Sequence, residues 1–410
     1  MTEQALQLGD CAKVISGYAF KSKDFVDEGI PVLKIANIKH EHVVFDGVQY
    51  LPPDFLNIDD KFKVKFGDVM ICLTGSHISQ PNSVVGRVAM YRHERLALLN
   101  QRAGRIVVND TERLDKDFLY YFLRQERVMH DLALNAGGAA NQANISPKDV
   151  ERIELPDIDV LTQKSISSTL KAYDDLIENN KRRIELLEES ARQLYKEWFV
   201  RFRFPGHEHV KIIDSVPEGW ERCVASEALF INPKTPIEKD KEITYVPMAS
   251  LSESQMTVDV SMFEKRTKHT TVKFAAGDTL FARITPCLEN GKTAFVNFLN
   301  ENEVACGSTE FIVLRGSKVS NQFAYLLARE ESFRGNAIKS MIGSSGRQRV
   351  QPSCFDKYVV PVPPASIQEQ FDEVVVGVFE QINILLKQTQ QLATARDLLL
   401  PKLMSGEIAV

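Results

Sequence analysis

The chain of 410 residues contains an internal repeat, and this repeat constrains the fold more strongly than any other feature of the sequence. Residues 67–71 (GDVMI) recur as 277–281 (GDTLF), and residues 118–123 (FLYYFL) recur as 323–327 (FAYLL). The two copies are offset by about 205–210 residues, far beyond the roughly 20–50 residues of a solenoid repeat. The sequence therefore predicts two diverged copies of a whole domain together with its connector.

Each copy has the same order of predicted elements. Short strand-like runs with turn residues between them come first, as in 43–47 and 66–73. A helix-like stretch follows at 117–134, and after it come a loop at 137–144, an apolar strand that ends in proline, and a long helix. Strands followed by helices favour an α+β fold for each globular part.

Two segments have apolar residues at alternating four- and three-residue steps, which predicts long helices that pack on another helix. In the first segment the predicted seam comprises Ile166, Leu170, Tyr173, Ile177, Asn180, Ile184, Leu187, Ala191, Leu194 and Trp198. In the second segment it comprises Val374, Val378, Gln381, Leu385, Gln388, Leu392, Ala395 and Leu399. The amides of Asn180 and Gln388 occupy matching positions, which predicts a buried polar layer that sets the register.

The length of these segments favours helices that pack on each other. About 32 residues at 1.5 Å per residue reach about 48 Å, well beyond an average helix. We therefore predict an antiparallel coiled coil related by a pseudo-twofold repeat, with boundaries at 1–157, 158–205, 206–363 and 364–410, and with the second helix ending at Pro401. The alternative is one amphipathic surface helix on each domain.

Composition excludes several classes of protein. The net charge is −5, so the chain is not a basic protein that coats nucleic acid, and any basic surface must be local. The six cysteines lack C-x-x-C spacing, which leaves zinc ribbons and thioredoxin-like sites without support. Residues 291–293 (GKT) end like a P-loop, but Pro286 stands where the first glycine belongs. We predict no catalytic site and no metal site.

Scattered single cysteines are typical of a reducing compartment, and the sequence contains no apolar run of about 18 residues. We therefore expect a cytoplasmic protein that does not span a membrane.

Loops in both copies are rich in basic and amide side chains. Arg, Asn and Gln can read base edges, whereas Lys, Ser and Thr can hold phosphates, so these loops favour a nucleic-acid partner. The predicted DNA-binding residues are Lys13, Lys21, Lys34, Asn37, Thr74, Ser76, His77, Gln101 and Arg102 in the first copy, and Lys234, Arg283, Thr285, Asn290, Lys292, Ser308, Thr309, Arg347 and Arg349 in the second.

An ordered set of motifs resembles a known family. The motifs are 8–10 (LGD), 16–20 (SGYAF), 217–220 (PEGW), 277–286 (GDTLFARITP), 289–292 (ENGK), 307–311 (GSTEF), and Gln163 and Gln370, each after a proline that precedes a long helix. Over essentially its whole length the chain resembles the specificity subunit of a type I restriction-modification system.

The resemblance implies two target-recognition domains and two helical spacers that form the antiparallel coiled coil. It implies that each domain reads one half of a split, asymmetric site in double-stranded DNA, and that the subunit itself has no catalytic residues or cofactor. The implied partners are two modification subunits, which methylate adenine with S-adenosylmethionine, and restriction (motor-nuclease) subunits, which use ATP and Mg. Two alternatives stay open: a scaffold with paired peptide-binding domains, and the recognition subunit of a related type II methylase-nuclease.

Overall fold

The computed structural model describes residues 6–39, 41–45, 47–76, 84–137, 143–237, 241–268, 271–344 and 346–410. The chain forms two compact units. Unit 1 comprises Met1–Ile177 and Gln391–Val410, and unit 2 comprises Glu178–Gln390. Each unit therefore contains one globular part and a segment of each long helix.

Helices and strands both contribute to each unit, which confirms the predicted α+β class. The α-helices are α1 (Leu8–Cys11), α2 (Lys116–Leu123), α3 (Glu126–Leu134), α4 (Pro147–Glu151), α5 (Val160–Tyr195), α6 (Ala225–Ala228), α7 (Asn321–Arg329), α8 (Glu331–Lys339) and α9 (Ala365–Met404). Helix α5 continues into a π-helical turn at Lys196–Val200. Helices α2 and α7 begin at matching N-caps, where the side chains of Asp115 and Ser320 accept backbone hydrogen bonds from Phe118 and Phe323.

Unit 1 contains two four-stranded sheets. Its strands are β1 (Ala12–Ser16), β2 (Ile30–Leu33), β3 (Gln49–Leu51), β4 (Lys63–Val64), β5 (Val69–Cys72), β6 (Thr74–Gly75), β7 (Val88–Met90), β8 (Ala97–Leu99), β9 (Ala103–Val108) and β10 (Ala143–Asn144). The first sheet has the order β1-β9-β5-β7 and its pairs are antiparallel. The second has the order β3-β2-β8-β4, in which β2 and β8 run parallel. Strands β6 and β10 pair with each other.

Unit 2 repeats this arrangement. Its strands are β11 (Ile212–Ile213), β12 (Val216–Pro217), β13 (Glu221–Val224), β14 (Leu229–Ile231), β15 (Ile243–Val246), β16 (Glu264–Arg266), β17 (Val272–Ala275), β18 (Thr279–Ala282), β19 (Thr293–Phe295), β20 (Val304–Gly307), β21 (Phe311–Gly316) and β22 (Val359–Val362). The sheets have the orders β14-β21-β18-β19 and β16-β15-β20-β17, and again one pair, β15 with β20, is parallel. The sequence repeat is thus a duplication of strand order, including the position of the parallel pair.

The repeated strands β5 and β18 are buried at every residue. In β5, Val69 and Ile71 belong to the core that contains α2, whereas Met70 and Cys72 belong to the core between the two sheets. A strand covered on both faces needs a continuous apolar run, and this explains why VMIC and TLFA do not alternate with polar residues.

The Gly-Asp pair before each of these strands forms a turn. Gly67 and Gly277 have φ of +83° and +84°, a left-handed conformation that favours glycine.

The aspartate of each pair holds the turn. The Asp278 carboxylate accepts hydrogen bonds from the backbone N–H of Ala275 at 2.8 Å and from two guanidinium donors of Arg315 at 2.6 and 2.8 Å. Asp68 accepts hydrogen bonds from the corresponding donors, the Lys65 N–H and Arg105. The motif therefore ties the turn to the neighbouring strand, β21 or β9.

Each unit contains segments of both long helices in its core. In unit 1, Ile166 and Leu170 of α5 lie in one buried apolar cluster with Leu400 and Leu403 of α9. In unit 2, the rings of Phe199 and Phe371 are 4.6 Å apart, so the end of the first long helix lies beside the start of the second. This arrangement is that of helices running in opposite directions.

The predicted seam of α9 is wrong at two positions. Val374 is 51% exposed and Gln388 is also exposed, whereas Val375 and Ile382 are fully buried. The seam is displaced because α9 packs against the globular part of unit 2 as well as against α5: Phe379 contacts the rings of Phe295 and Tyr325. Asn180 is buried, but the predicted match with a buried Gln388 does not form.

The predicted end of the second helix at Pro401 is also wrong, because α9 runs through Pro401 to Met404. A proline removes one backbone donor and most disturbs the turn that precedes it. The buried side chains of Leu400, Leu403 and Met404 hold this last turn in place.

We predict that Asp278→Ala lowers the free energy of unfolding of unit 2 by about 3 kcal/mol, because it leaves the Arg315 guanidinium without its buried partner. Both tryptophans of the chain, Trp198 and Trp220, lie in unit 2, so the denaturant transition of tryptophan fluorescence reports that unit. Asp68→Ala in unit 1 is the matched control and should leave the fluorescence transition in place. An unchanged transition in Asp278→Ala would contradict the assigned role.

Candidate nucleic-acid interface

In unit 1, several of the predicted loops meet at one end of the sheets. The Tyr18 N–H donates to the Leu99 carbonyl at 2.8 Å, and the Gln101 N–H donates to the Tyr18 carbonyl at 3.1 Å. The Asn100 N–H donates to the carbonyl of Leu33, and the Leu73 N–H donates to that of Arg102. These bonds bring the backbone segments that carry Lys34, Thr74, Ser76, Gln101 and Arg102 together.

Gly17 allows this close approach. A Cβ atom at position 17 would lie 2.2 Å from the Asn100 carbonyl oxygen and 2.3 Å from that of Leu99. Both obstacles are backbone atoms, which cannot rotate away as a side chain can. The glycine of the SGYAF motif is therefore required by contact with the 99–102 loop.

The predicted side chains of unit 1 differ in what they can reach. Lys21, Gln101 and Arg102 are exposed. Asn37 is only 2% exposed, and its Oδ1 accepts the Lys34 N–H at 3.0 Å, so it stabilises the turn of its own loop. The Lys34 ammonium group donates to Gln49 and lies 4.8 Å from the centre of the Phe25 ring.

Two further predicted residues of unit 1 are not among the exposed side chains at the loop end of the sheets. Lys13 is exposed, but it lies opposite Val107 in the pairing of β1 with β9. This position is three residues along β1 from Ser16, which pairs with Gly104 at the loop end. At about 3.3 Å per residue it lies about 10 Å along the strand from the loop end. Thr74 is 8% exposed and accessible only in small part. His77 lies outside the described residues.

In unit 2, the structure joins three predicted loops. The Thr285 N–H donates to the Gln348 carbonyl, and the Gln348 N–H donates to Thr285 Oγ1, both at 3.1 Å. The Val350 N–H donates to the Arg283 carbonyl at 2.8 Å, and the Arg283 N–H donates to the Glu310 carbonyl at 2.9 Å. Loops 283–292, 308–310 and 347–350 therefore form one surface.

Several predicted side chains of unit 2 already have protein partners. Arg349 binds both carboxylate oxygens of Glu310 at 2.6–3.0 Å. Arg283 donates to the carbonyl of Val350 at 3.2 Å, and Thr285 is 8% exposed.

Other contacts link these loops to the 248–253 segment: Asn290 donates to Glu253 at 3.0 Å, and Lys292 donates to the Met248 carbonyl at 3.3 Å.

The exposed predicted side chains of unit 2 are those of Lys234, Asn290, Thr309, Arg347 and Arg349, and Ser308 is half-buried. Ser308 Oγ accepts the Glu310 N–H at 3.2 Å. Lys234 follows β14, and Arg347 lies within the 347–350 loop of the joined surface.

The Glu310–Arg349 pair places two opposite charges on this surface. The hydrogen bonds from Arg349 lower the pKa of Glu310, although partial burial opposes the shift. The same pair raises the pKa of Arg349. Both groups are therefore charged at neutral pH, and the carboxylate orients the guanidinium.

An aromatic surface beside the unit 1 loops was missed by the sequence prediction. A cavity of about 270 Å³ is lined by Tyr18, Asp54, Phe55 and Ile58, and Tyr18 is 45% exposed. The ring of Tyr18 lies 5.1 Å from that of Phe20 and 5.4 Å from that of Phe62. The aromatic residues of the SGYAF motif were the available signal, and exposed rings suit stacking on bases.

Within the described residues, Glu221, Cys223 and Glu227 form a group whose ligand atoms lie within 4.8 Å of one another. The Lys318 ammonium group lies 2.5 Å from Glu221 and 3.9 Å from Glu227, so a protein cation already compensates these carboxylates. No helix of the described ranges is long and apolar enough to cross a membrane.

We predict that Gly17→Ala destabilises unit 1 by about 2 kcal/mol, because the added methyl group forces loop 99–102 away. Hydrogen exchange followed by mass spectrometry should show faster exchange in residues 97–104. Gly335→Ala is the control, since a Cβ atom on that helical glycine meets no atom within 4 Å. Unchanged exchange in Gly17→Ala would show that the loop does not depend on this contact.

Comparison with known proteins finds both a matching domain model and similar chains. The model of the type I restriction modification DNA specificity domain matches residues 3–189. The EcoEI specificity subunit of Escherichia coli is 34% identical over 181 residues, which are 43% of this chain and 30% of that subunit. The MjaIX specificity subunit of Methanocaldococcus jannaschii is 24% identical over 374 residues, which are 86% of this chain and 82% of that subunit.

Among solved structures, the S subunit of a type I restriction-modification system from M. genitalium has the same fold. The TM-score is 0.53 at 16% identity, and the match covers 98% of this chain and 95% of that one. The family match, the aligned relatives and the doubled strand order agree with one another. Residues 3–189 thus match the specificity domain of type I restriction-modification systems, and over most of its length the chain is similar to specificity subunits in sequence and in fold.

Proposed function

We propose that this chain is the DNA sequence-specificity subunit of a type I restriction-modification complex, and that each globular domain reads one half of a bipartite, asymmetric site. The observation that carries the proposal is that one strand order occurs twice with unlike loops at equivalent positions. A shared framework gives the two domains a common way to approach a duplex, and different side chains give them different targets.

One loop position illustrates the difference. After β8 the Asn100 N–H donates to Leu33, and after β20 the Ser308 N–H donates to Val246, so these two residues are structurally equivalent. Two positions later unit 1 has the exposed Arg102, whereas unit 2 has Glu310 bound to Arg349. A guanidinium group favours guanine acceptors and a carboxylate favours the amino group of cytosine. The two half-sites should therefore differ.

In this proposal the two long helices set the distance between the half-sites and dock the two modification subunits. Large apolar side chains on α5 and α9 are exposed among polar neighbours, and they comprise Leu161, Leu176, Leu186, Val374, Ile384 and Leu398. Exposed apolar residues on a rigid helix offer a surface for a protein partner.

The catalytic chemistry belongs to the partners in this proposal. The modification subunits bind S-adenosylmethionine and methylate adenine, and the restriction (motor-nuclease) subunits use ATP and Mg to cut unmodified DNA. The specificity subunit contributes the loops that select the site.

We predict that Arg102→Ala and Arg347→Ala each weaken binding to the target duplex about tenfold, because each removes an exposed guanidinium group from a loop surface. Each substitution should relax sequence preference in one half-site only. The assay is methylation by the complex with its modification subunits on a library of duplexes, combined with binding measured at several salt concentrations.

Arg222→Ala is the matched control, because it removes an exposed guanidinium group from β13 rather than from the loops. The control should keep full sequence preference. If Arg102→Ala and Arg347→Ala also kept full sequence preference, these loops would not read the site. Binding of peptides in place of duplex DNA would then favour the scaffold alternative.

We also predict that one heptad inserted into both α5 and α9 lengthens the gap between half-sites by about 3 base pairs. Seven residues add about 10.5 Å at 1.5 Å per residue, and one base pair rises about 3.4 Å. Sequencing of methylated adenines in a host that carries the variant measures the gap. A gap of the original length would mean that the helices do not set the spacing.

A further inference from the structure

Each unit contains a short hairpin directly after the strand that forms the parallel pair. In unit 1, a 3₁₀ turn at Ile35–Asn37 leads into the bridge between Ile38 and Val43, and we call the described residues 38, 39 and 41–43 tip 1. In unit 2, a 3₁₀ turn at Met248–Ser250 leads into the bridge between Leu251 and Val258, and we call residues 251–258 tip 2. The two tips occupy equivalent places in the fold.

Tip 1 is bound through the side chain of Glu41. Arg396 of α9 donates to its carboxylate at 2.9 Å, and Arg124 binds the same carboxylate. Tyr120 donates its hydroxyl proton to the Glu41 backbone carbonyl at 3.1 Å. Glu41 has a φ of +77°, a conformation that residues with a Cβ rarely adopt and that persists only when surrounding contacts hold it.

The charges behind Glu41 are buried. The side chains of Arg124, Arg396 and Asp174 are 2%, 3% and 7% exposed, and Arg396 also donates to Asp174 at 2.6 Å. Burial alone would raise the pKa of Asp174, but Arg124 and Arg396 outweigh it and hold this pKa below its usual value. A buried guanidinium group that loses a partner is strongly destabilised, so the cluster depends on the carboxylate of tip 1.

Tip 2 is bound by an acidic residue of α5, which is opposite in charge to Arg396 at tip 1. The Glu188 carboxylate of α5 accepts the Met256 N–H at 2.7 Å and also binds the hydroxyl group of Tyr325. Arg192 of α5 and Arg329 of α7 both donate to the carbonyl of Ser254. The Glu188 side chain is 3% exposed.

The two arrangements correspond residue by residue. Tyr120 and Tyr325 each lie five residues after the N-caps of α2 and α7, and Arg124 and Arg329 each lie nine residues after them. Glu188 precedes Arg396 by about 208 residues, which is the offset between the two heptad patterns. The pseudo-equivalent helix positions therefore present a cation to tip 1 and an anion to tip 2.

We propose that Arg396 and Glu188 are positioning residues, and that each holds one hairpin tip against a long helix. We call Arg396 the seat of tip 1 and Glu188 the seat of tip 2. Their opposite charges make each seat selective for its own tip. Tip 1 with its Glu41 carboxylate would meet a second buried carboxylate at Glu188. Tip 2, which offers the Met256 N–H as a donor, would meet a buried guanidinium group at Arg396, and a guanidinium group accepts no hydrogen bond. The order of the two recognition domains on the helices is thus set by charge.

The seats also control the loop surfaces, and this step rests on the proposed function. Tip 1 follows directly on the segment of Lys34 and Asn37. In tip 2, Glu253 accepts a hydrogen bond from Asn290, and the Met248 carbonyl beside the tip accepts one from Lys292. Motion of a tip would therefore move the loops that face DNA.

The first test needs no DNA. In the full chain, Glu41→Gln and Arg396→Gln should each raise hydrogen exchange in tip 1 about tenfold, while residues 251–258 keep their protection. The double variant should add little to the mobility of tip 1 in the single variants, because the Glu41–Arg396 pair is already lost in each of them. Glu188→Gln is the matched control, which should mobilise 251–258 and leave tip 1 protected. Unchanged exchange at the tips, or uniform loosening of a whole unit, would overturn the proposal.

Charge exchange tests the selectivity of the seat. Arg396→Glu places a fourth carboxylate beside those of Glu41, Asp174 and Asp397 and should free tip 1. The double variant Arg396→Glu with Glu41→Arg restores opposite charges and should recover protection of tip 1. If the double variant exchanged as fast as Arg396→Glu alone, charge would not determine the seat.

The second test uses the complex with its modification subunits. Glu41→Gln should lower discrimination in one half-site, and Glu188→Gln should lower it in the other, with overall methylation of the target retained within about threefold. Loss of discrimination spread over both half-sites would contradict the positioning role. If the unsubstituted complex showed no sequence preference at all, the proposed function would fail, whereas the hydrogen-exchange result would still decide whether the tips are seated as described.

Discussion

The rest of the structure depends on the burial of two long helices that have apolar residues on more than one face. Neither α5 nor α9 belongs to a single unit: the core of unit 1 takes Ile166 and Leu170 from one and Leu400 and Leu403 from the other, and the core of unit 2 takes Ile184 and Phe371. A helix with a broad apolar stripe is stable only when all of it is covered. Each globular part therefore needs both helices, although they are far apart in the chain.

The two units share one strand order but have different side chains in their loops. Central strands that are buried on both faces, such as β5 and β18, leave little freedom to vary, and the Gly-Asp turns before them are held by Arg105 and Arg315. The loops at the sheet ends carry no such constraint. Arg102 and Glu310 can therefore occupy equivalent positions with opposite charges, which would suit the proposed reading of unlike half-sites.

Much of the fold could be predicted because its signals are local or periodic. The 67–71 and 277–281 motifs predicted equivalent strands, and the heptad step predicted two long helices. The seam of α9 could not be placed correctly, because Phe379 packs against Phe295 and Tyr325 and so turns Val375 rather than Val374 inward. For the candidate interface, residue types predicted the loops, but the burial of Asn37 and the Glu310–Arg349 pair depend on neighbours distant in sequence.

The sequence by itself determined that the chain is one domain-plus-helix plan used twice, since a repeat of residues requires a repeat of the structures they encode. It also determined that the proposed DNA recognition would have to come from local loops, because the net charge of −5 gives no general attraction to phosphates. Only the tertiary structure decided which loops meet and which charges hold them. Arg396 binds Glu41 across 355 residues of chain, and no local pattern marks that pair, because the ion pair exists only after both helices are packed.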